Sequence, residues 1–287
     1  MSAFTKLVRF SAGSRTYYGD LVASVNGKYT VRKLNGSPFT KLETTEETVQ
    51  VETVGSTPRD SSINLTVFKL ECPLESVPII MCIGLNYNQH AKEANLPVPT
   101  YPVIFTKPAD ALAGPFETID IHPDARELLD YEGELTIVIS KDAKNVSEED
   151  ALDYVLGYTA GNDLSARNFQ RPEASGGQFC YAKSFDKFAP IGHAIVAARE
   201  IPDPQVLNLT TKVNGVVKQE TSTGDMIWSV RQLISHLSRG TTLRKGTLVM
   251  TGTPSGVGYF RKEFLTHGDI VEVEIEGVGA TKNRVQH

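Results

Sequence analysis

The chain has 287 residues, 40% of them hydrophobic and 22% charged, with a net charge of −5, which suits one large soluble domain or one large and one small. No basic run supplies the positive patch that nucleic-acid binding needs, and no apolar run nears the ~20 residues that span a bilayer. Cys72, Cys82 and Cys180 are odd in number and lack C-x-x-C spacing, so they read as reduced thiols.

The opening MSAFTKLVRFSAGSRTYYGD has basic and hydroxyl residues and no acid before Asp20. That pattern would suit a mitochondrial leader, but KLVRF alternates like a strand, and the cytoplasm is the expected location. Residues 1–72 read as a small β-rich N-terminal domain. Asn26-Gly27 between LVASV and KYTVRKL predicts a two-residue hairpin, and the Gly/Ser/Thr/Pro stretch 55–62 predicts a surface connection. Pro73 and Pro78 bracket a linker, leaving 73–287 as the second domain. PIIMCIGLN predicts a strand running into a loop, and Gly84, Asn86, Asn95 and the prolines 97, 99 and 102 suit an adjustable segment. Ser147 with the following acids predicts a capped helix continuing through ALDYVLG. A second hairpin is expected at Asn214-Gly215. Residues 225–239 predict a helix with Ile227, Val230, Ile234 and Leu237 on one face and Gly240 as its stop. TLVMTG and DIVEVEIEG predict strands. Strands outnumber helices and do not alternate strictly with them, which predicts an α+β, β-dominated core rather than a doubly wound sheet.

The chemistry concentrates in LDYEGELTIVIS (129–140) and YTAGNDLSARNFQ (158–170). In a strand, side chains at i and i+2 share a face, so Glu132 and Glu134 project together with Gly133 opposite. Two like charges so placed are costly unless a cation lies between them. Asp163 would complete a hard, all-oxygen site for Mg²⁺, with Mn²⁺ or Ca²⁺ as alternatives. On spacing alone, surface acids at a strand end would be the commoner explanation. His90 and Glu93 fall on one face of a short helix, where a carboxylate fixes the imidazole tautomer and makes a general base.

Six motifs change that balance: GLNYNQHAKE (84–93), YPVIFTKP (101–108), LDYEGEL (129–135), GNDLSARNFQ (161–170), AKSFDKFAPIG (182–192) and GTPSGVG (252–258). In this order they resemble the fumarylacetoacetate hydrolase family over roughly residues 78 to 285. The resemblance implies a mixed β-sandwich roll, usually a homodimer, with the His90–Glu93 dyad on a segment that closes over substrate. It maps Lys183 onto the family's active-site lysine and Lys107 onto a second cationic group near the ligand. Arg167 and Gln170, at +4 and +7 from Asp163, are expected to contact the ligand, the guanidinium gripping a carboxylate. GTPSGVG lacks the phosphate-loop spacings. It reads as a turn whose Thr253 hydroxyl and backbone N–H groups bind substrate oxygens. Ser255 is no nucleophile elbow, because Thr stands where G-x-S-x-G needs Gly.

The function expected is therefore divalent-metal-dependent chemistry on small 2-oxo or 1,3-diketo acids through a stabilised enolate. Hydrolysis of an acylpyruvate and decarboxylation or tautomerisation of oxaloacetate all fit the same groups. The alternative is a catalytically silent family member that binds a ligand or partner. It would be favoured by loss of a ligand or of the base, and every motif position is filled.

Overall fold

The computed structural model describes residues 3–25, 27–52 and 68–287. The expected connection at 55–62 and Asn26 itself lie outside the described residues. The strands Arg15–Val25 and Lys28–Gly36 that flank Asn26-Gly27 pair antiparallel, with Val25 opposite Lys28.

Two sheets dominate. The larger runs through eleven strands, from Arg15–Val25 at one edge to Val103–Lys107 at the other. Its centre holds Val155–Asn162, Gly133–Ile139 and Leu248–Met250 side by side. The smaller has five strands, among them Asn208–Val213, Ile270–Ile275 and Gly279–Gln286. Alternation along Gly133–Ile139 sorts its side chains: Leu135, Ile137 and Ile139 join Leu209, Val271, Val273 and Ile275 of the smaller sheet in one core cluster. Val138 belongs to a second cluster with Cys82, Leu248 and Met250. A strand buried on both faces has no solvent side, so Glu134, on the Val138 face, is forced inside. Gly133 faces the smaller sheet, where a Cβ would lie 2.0 Å from Thr211 Oγ1. The close packing of the two sheets at this point requires glycine.

The N-terminal strands do not form a detached sheet. Lys6–Ala12 pairs with Ile195–Ala197, so the first part of the chain extends the large sheet while keeping a small apolar cluster of its own around Phe10, Val31 and Val51. We propose the division where Phe68–Glu71 ends at Cys72-Pro73.

Two predicted helices are corrected. Ala151–Tyr154 is a single 3₁₀ turn, and Val155–Asn162 is a central strand. Ser147 does accept from Asp150 N at 3.1 Å, but the β-branched and small residues that follow are claimed by sheet pairing, which overrides local propensity. The second helix spans Val230–Ser238, not 225–239, because Ser229 and Gln232 form a capping box that sets its start. The Asn214-Gly215 hairpin forms with both residues at positive φ, 52° and 79°, as a type I′ turn requires.

Candidate active site

Pairing register builds the site. Gly133 lies opposite Asn162 and Glu134 opposite Gly161, so Asp163 leaves its strand beside Glu132. Asp163 N donates to Glu132 O at 2.8 Å, and Asn162 Oδ1 accepts from Glu132 N at 3.0 Å. Carboxylate oxygens of Glu132, Glu134 and Asp163 consequently lie within 4.8 Å of one another. They are 6%, 1% and 0% exposed.

Such a cluster survives burial only with compensation. Lys183 Nζ bridges Glu132 Oε2 and Asp163 Oδ2, both at 2.7 Å. Lys107 pairs with Asp163 Oδ1 from behind. Arg167 donates through Nη2 to Glu132 Oε1 at 2.5 Å and through Nε to Asp130 Oδ2 at 2.8 Å. Burial pushes the Glu132 carboxyl up, but Lys183 and Arg167 outweigh it and hold the group well below the usual carboxylate range. Glu134 goes the other way: burial first, then Asp163 and Glu132, push it far above that range. Among the described residues, the hydrogen bond it accepts is from Gly252 N at 2.7 Å. Here the buried acids Asp130, Glu132, Glu134 and Asp163 outnumber the buried cations Lys107, Lys183 and Arg167 by one. The carboxyl without a cationic partner of its own is Glu134, and with Glu132 and Asp163 it offers three hard oxygen donors that fit a divalent ion such as Mg²⁺, Mn²⁺ or Ca²⁺.

A cavity of about 510 Å³ opens over Glu132. Its wall includes Lys183, Arg167, Gln170 and Thr253, and its mouth carries His90, Leu96, Arg171, Tyr259 and Phe260. His90 sits on the helix Asn88–Ala94, with Nδ1 at 3.2 Å from Glu93 Oε2, as the i, i+3 spacing predicts. That contact fixes the ring and leaves Nε2 as the nitrogen free for chemistry.

The glycine-rich turn serves a purpose other than the expected one. Its N–H groups go to the protein's own acids: Gly252 to Glu134, Gly256 to Glu93 at 3.0 Å, and Gly258 and Tyr259 to Asp130 at 2.7 and 2.9 Å. The Thr253 hydroxyl donates to Gly133 O at 3.0 Å and accepts from Gln219 Nε2 at 2.8 Å, while Thr253 itself stays on the cavity wall. The segment is a strip of donors that holds three separate carboxylates in place. Two more expectations shift. Lys107 is fully buried, off the cavity wall, and donates to Leu164 O and Phe188 O at 3.2 and 2.5 Å as well as pairing with Asp163. It compensates charge from behind the cluster. Asn86 is not part of an adjustable loop: its buried amide bonds Thr251 O at 2.6 Å and both the N and O of Trp228.

Arg167 does reach the wall, but Asp130, Glu132 and Gln170 engage its guanidinium, Gln170 Oε1 accepting from Nη1 at 2.8 Å. Sequence reasoning missed Asp130, which accepts from Tyr131 N, Gly258 N, Tyr259 N and Arg167 and is completely buried. The signal was present: D-x-E-x-E at 130, 132 and 134 extends the same i, i+2 pattern by one step. The aromatic walls Phe105 and Phe179, in edge contact with each other, carried no local signal because any apolar residue reads as core.

A buried carboxylate cluster, a bridging lysine and a His–Glu pair around one cavity define an enzyme site for anionic, oxygen-rich ligands. Residues 79–286 match the fumarylacetoacetate (FAA) hydrolase C-terminal family, and residues 5–55 match the Rv2993c-like N-terminal family. The chain belongs to the fumarylacetoacetate hydrolase family and is an enzyme of it. It is 43% identical over 218 residues to a Xenopus laevis protein named oxaloacetate tautomerase fahd2, mitochondrial, covering 75% of this chain and 68% of that one. It is 41% identical over 259 residues to a Dictyostelium discoideum fumarylacetoacetate hydrolase domain-containing protein 2 homolog, covering 86% and 84%. The crystal structure of 2-hydroxyhepta-2,4-diene-1,7-dioate isomerase from Mycobacterium marinum superimposes with a TM-score of 0.80 at 34% identity, over 98% of both chains. The family is generally dependent on divalent metals, and the buried acidic triad could bind one. Among the described residues, no helix is long and apolar enough to cross a membrane.

Proposed function

We propose that this enzyme interconverts the keto and enol forms of oxaloacetate or a closely related 2-oxo acid, with a divalent ion, Mg²⁺ by preference, held by Glu132, Glu134 and Asp163. The observation that carries the reading is the Glu134 carboxyl, without a cationic partner of its own, beneath a cavity that also presents Lys183 and His90. The ion, when bound, supplies Lewis acidity toward adjacent carbonyl and carboxylate oxygens.

The chain's own groups perform the proton transfer. His90, oriented by Glu93, takes a proton from carbon 3 of the oxo acid. Electron density moves from the breaking C–H bond to the oxygen on carbon 2. The Lys183 ammonium faces that growing negative charge. The imidazolium then gives that proton to the oxygen, completing the enol: the C–H bond on carbon 3 is exchanged for an O–H bond and no carbon–carbon bond breaks. Phe105, Phe179 and Phe260 line the cavity and limit water, which disfavours hydrolytic side reactions. Relatives named oxaloacetate tautomerase support this choice of reaction. Hydrolysis of an acylpyruvate is the second reading: the same His90–Glu93 pair would deprotonate water instead of carbon. A cytosolic homodimer is the setting this reading assumes.

The test is the decay of enol absorbance of oxaloacetate, followed before and after chelation and on adding back Mg²⁺ or Mn²⁺. Chelated protein should be inactive and either ion should restore it. Full activity after chelation would overturn the metal assignment. Acylpyruvate cleavage without oxaloacetate turnover would transfer the proposal to the second reading.

A further inference from the structure

Most cationic side chains of the cavity are engaged by the protein's own groups, and the one left over is not where the sequence pattern placed it. Lys183 is shared between Glu132 and Asp163. Arg167, the residue expected to grip a carboxylate of the ligand, is held by Asp130, Glu132 and Gln170. His90 is paired with Glu93. Arg171 also lines the cavity, and among the described residues its side chain makes no ion pair and no hydrogen bond.

Its backbone is nonetheless fixed. Arg171 caps the short helix Pro172–Ser175, with φ −63° and ψ 139°, and its carbonyl accepts from Ala174 N and Ser175 N, both at 2.9 Å. Pro172 follows and restricts it further. A guanidinium on an anchored backbone, with its donors unspent at the mouth of an otherwise largely aromatic and aliphatic cavity, is arranged to receive a planar anion. The other end of the cavity, at Glu132 and Lys183, is where the proposed chemistry takes place. A ligand with one end there and a second carboxylate at the mouth would meet both.

Resting on the function proposed above, we infer that Arg171 is a specificity-determining residue that binds the second carboxylate of a dicarboxylic 2-oxo acid, so that the enzyme prefers dianions over monocarboxylates of equal length. The class of ligand follows from the charge: a monocarboxylate of the same chain would place a methyl group against the guanidinium and gain nothing from it.

The experiment compares two inert four-carbon acids, malate and 2-hydroxybutanoate, which differ by a carboxylate in place of a methyl. Calorimetry in the presence of Mg²⁺ is run on the full-length wild type, Arg171→Gln and Arg171→Lys. Wild type should prefer malate about tenfold or more, as expected for one charge-assisted contact. Arg171→Gln should lose most of that preference, weakening malate far more than 2-hydroxybutanoate, and Arg171→Lys should recover part of it. Equal affinities in wild type, or a preference that survives Arg171→Gln, would overturn the inference. Oxaloacetate turnover in wild type is read separately: its absence alongside an Arg171-dependent malate preference would reject the tautomerase reading and keep the dianion site.

Discussion

The two ends of the cavity are built on opposite principles. At the floor, Glu132, Glu134, Asp163, Lys183 and Arg167 are all less than a tenth exposed, and their charges are interlocked by contacts at 2.5–2.8 Å. At the mouth, Tyr259 and Phe260 are 36% and 38% exposed, and Arg171 is exposed with its donors unspent. The floor fixes charge in a place where error is costly, because each unpaired group there forfeits its hydration. The mouth can vary with little consequence for folding. Charge balance and metal binding are therefore expected to be robustly encoded at the floor, and the handling of substrate at the mouth.

The largest effects should come from unbalancing the floor. Lys183→Met leaves Glu132 and Asp163 without their shared ammonium and should destabilise metal-free protein by about 3–5 kcal/mol. Glu134→Gln should do the reverse. Burial and two neighbouring carboxylates raise Glu134, so folding must either bury its charge or take up a proton, and a neutral amide of the same shape avoids both costs. Metal-free Glu134→Gln should melt above wild type, yet lose Mg²⁺ binding and turnover. Melting curves with and without Mg²⁺ for both variants decide it. If both lower the metal-free melting temperature equally, the floor is not short of one positive charge.

How far this floor could be read from sequence depends on what local spacing encodes. The i, i+2 rule puts Glu132 and Glu134 on one face without any knowledge of the fold, and the resemblance adds Asp163. What spacing cannot supply is the second partner of each group. Lys107 and Lys183 are equivalent as isolated lysines in apolar-flanked segments. Only the packing of Val103–Lys107 against Leu164 and Phe188 sends one behind the cluster, while the turn Cys180–Lys183 brings the other to the cavity. GTPSGVG illustrates the same gap. Its composition announces free N–H groups, but their acceptors, Glu93, Asp130 and Glu134, come from two distant segments. The strand at 155–162 was misread because ALDYVLG has helical amphipathicity, and only pairing with Gly133–Ile139 reveals that its backbone belongs to the sheet.

An intermediate effect is expected at the mouth. His90→Ala removes a partly buried side chain whose polar partner among the described residues is Glu93, so folding and Mg²⁺ affinity should stay close to wild type. Turnover should fall by roughly 10²–10⁴-fold, the usual loss for a general base. Glu93→Gln should be milder, since Gly256 N can still donate to the amide oxygen. A collapse of Mg²⁺ affinity in His90→Ala would make His90 a ligand and erase the division between the two ends.

The smallest perturbation uses the cysteines as reporters of that division. Cys82 lies in the strand Ile80–Gly84, close enough to the floor that Asp163 and Lys107 affect it. Burial, reinforced by Asp163, pushes its thiol far above the ordinary range. Burial likewise pushes the Cys72 thiol up to about 12. Alkylation needs the thiolate, so both should resist iodoacetamide at neutral pH. Raising the pH toward mildly alkaline values should not expose them, because a raised group stays protonated until the pH approaches its own shifted value. Cys180 begins the turn that carries Lys183 and, like Cys72, is partly exposed, but Cys72 has its thiol held up by burial. Mass spectrometry of briefly alkylated native protein should find Cys180 modified first, with Cys72 and Cys82 following only after unfolding. Labelling of Cys82 at the rate of Cys180 in folded protein would show that the floor opens to solvent as readily as the mouth, and the contrast between them would fail.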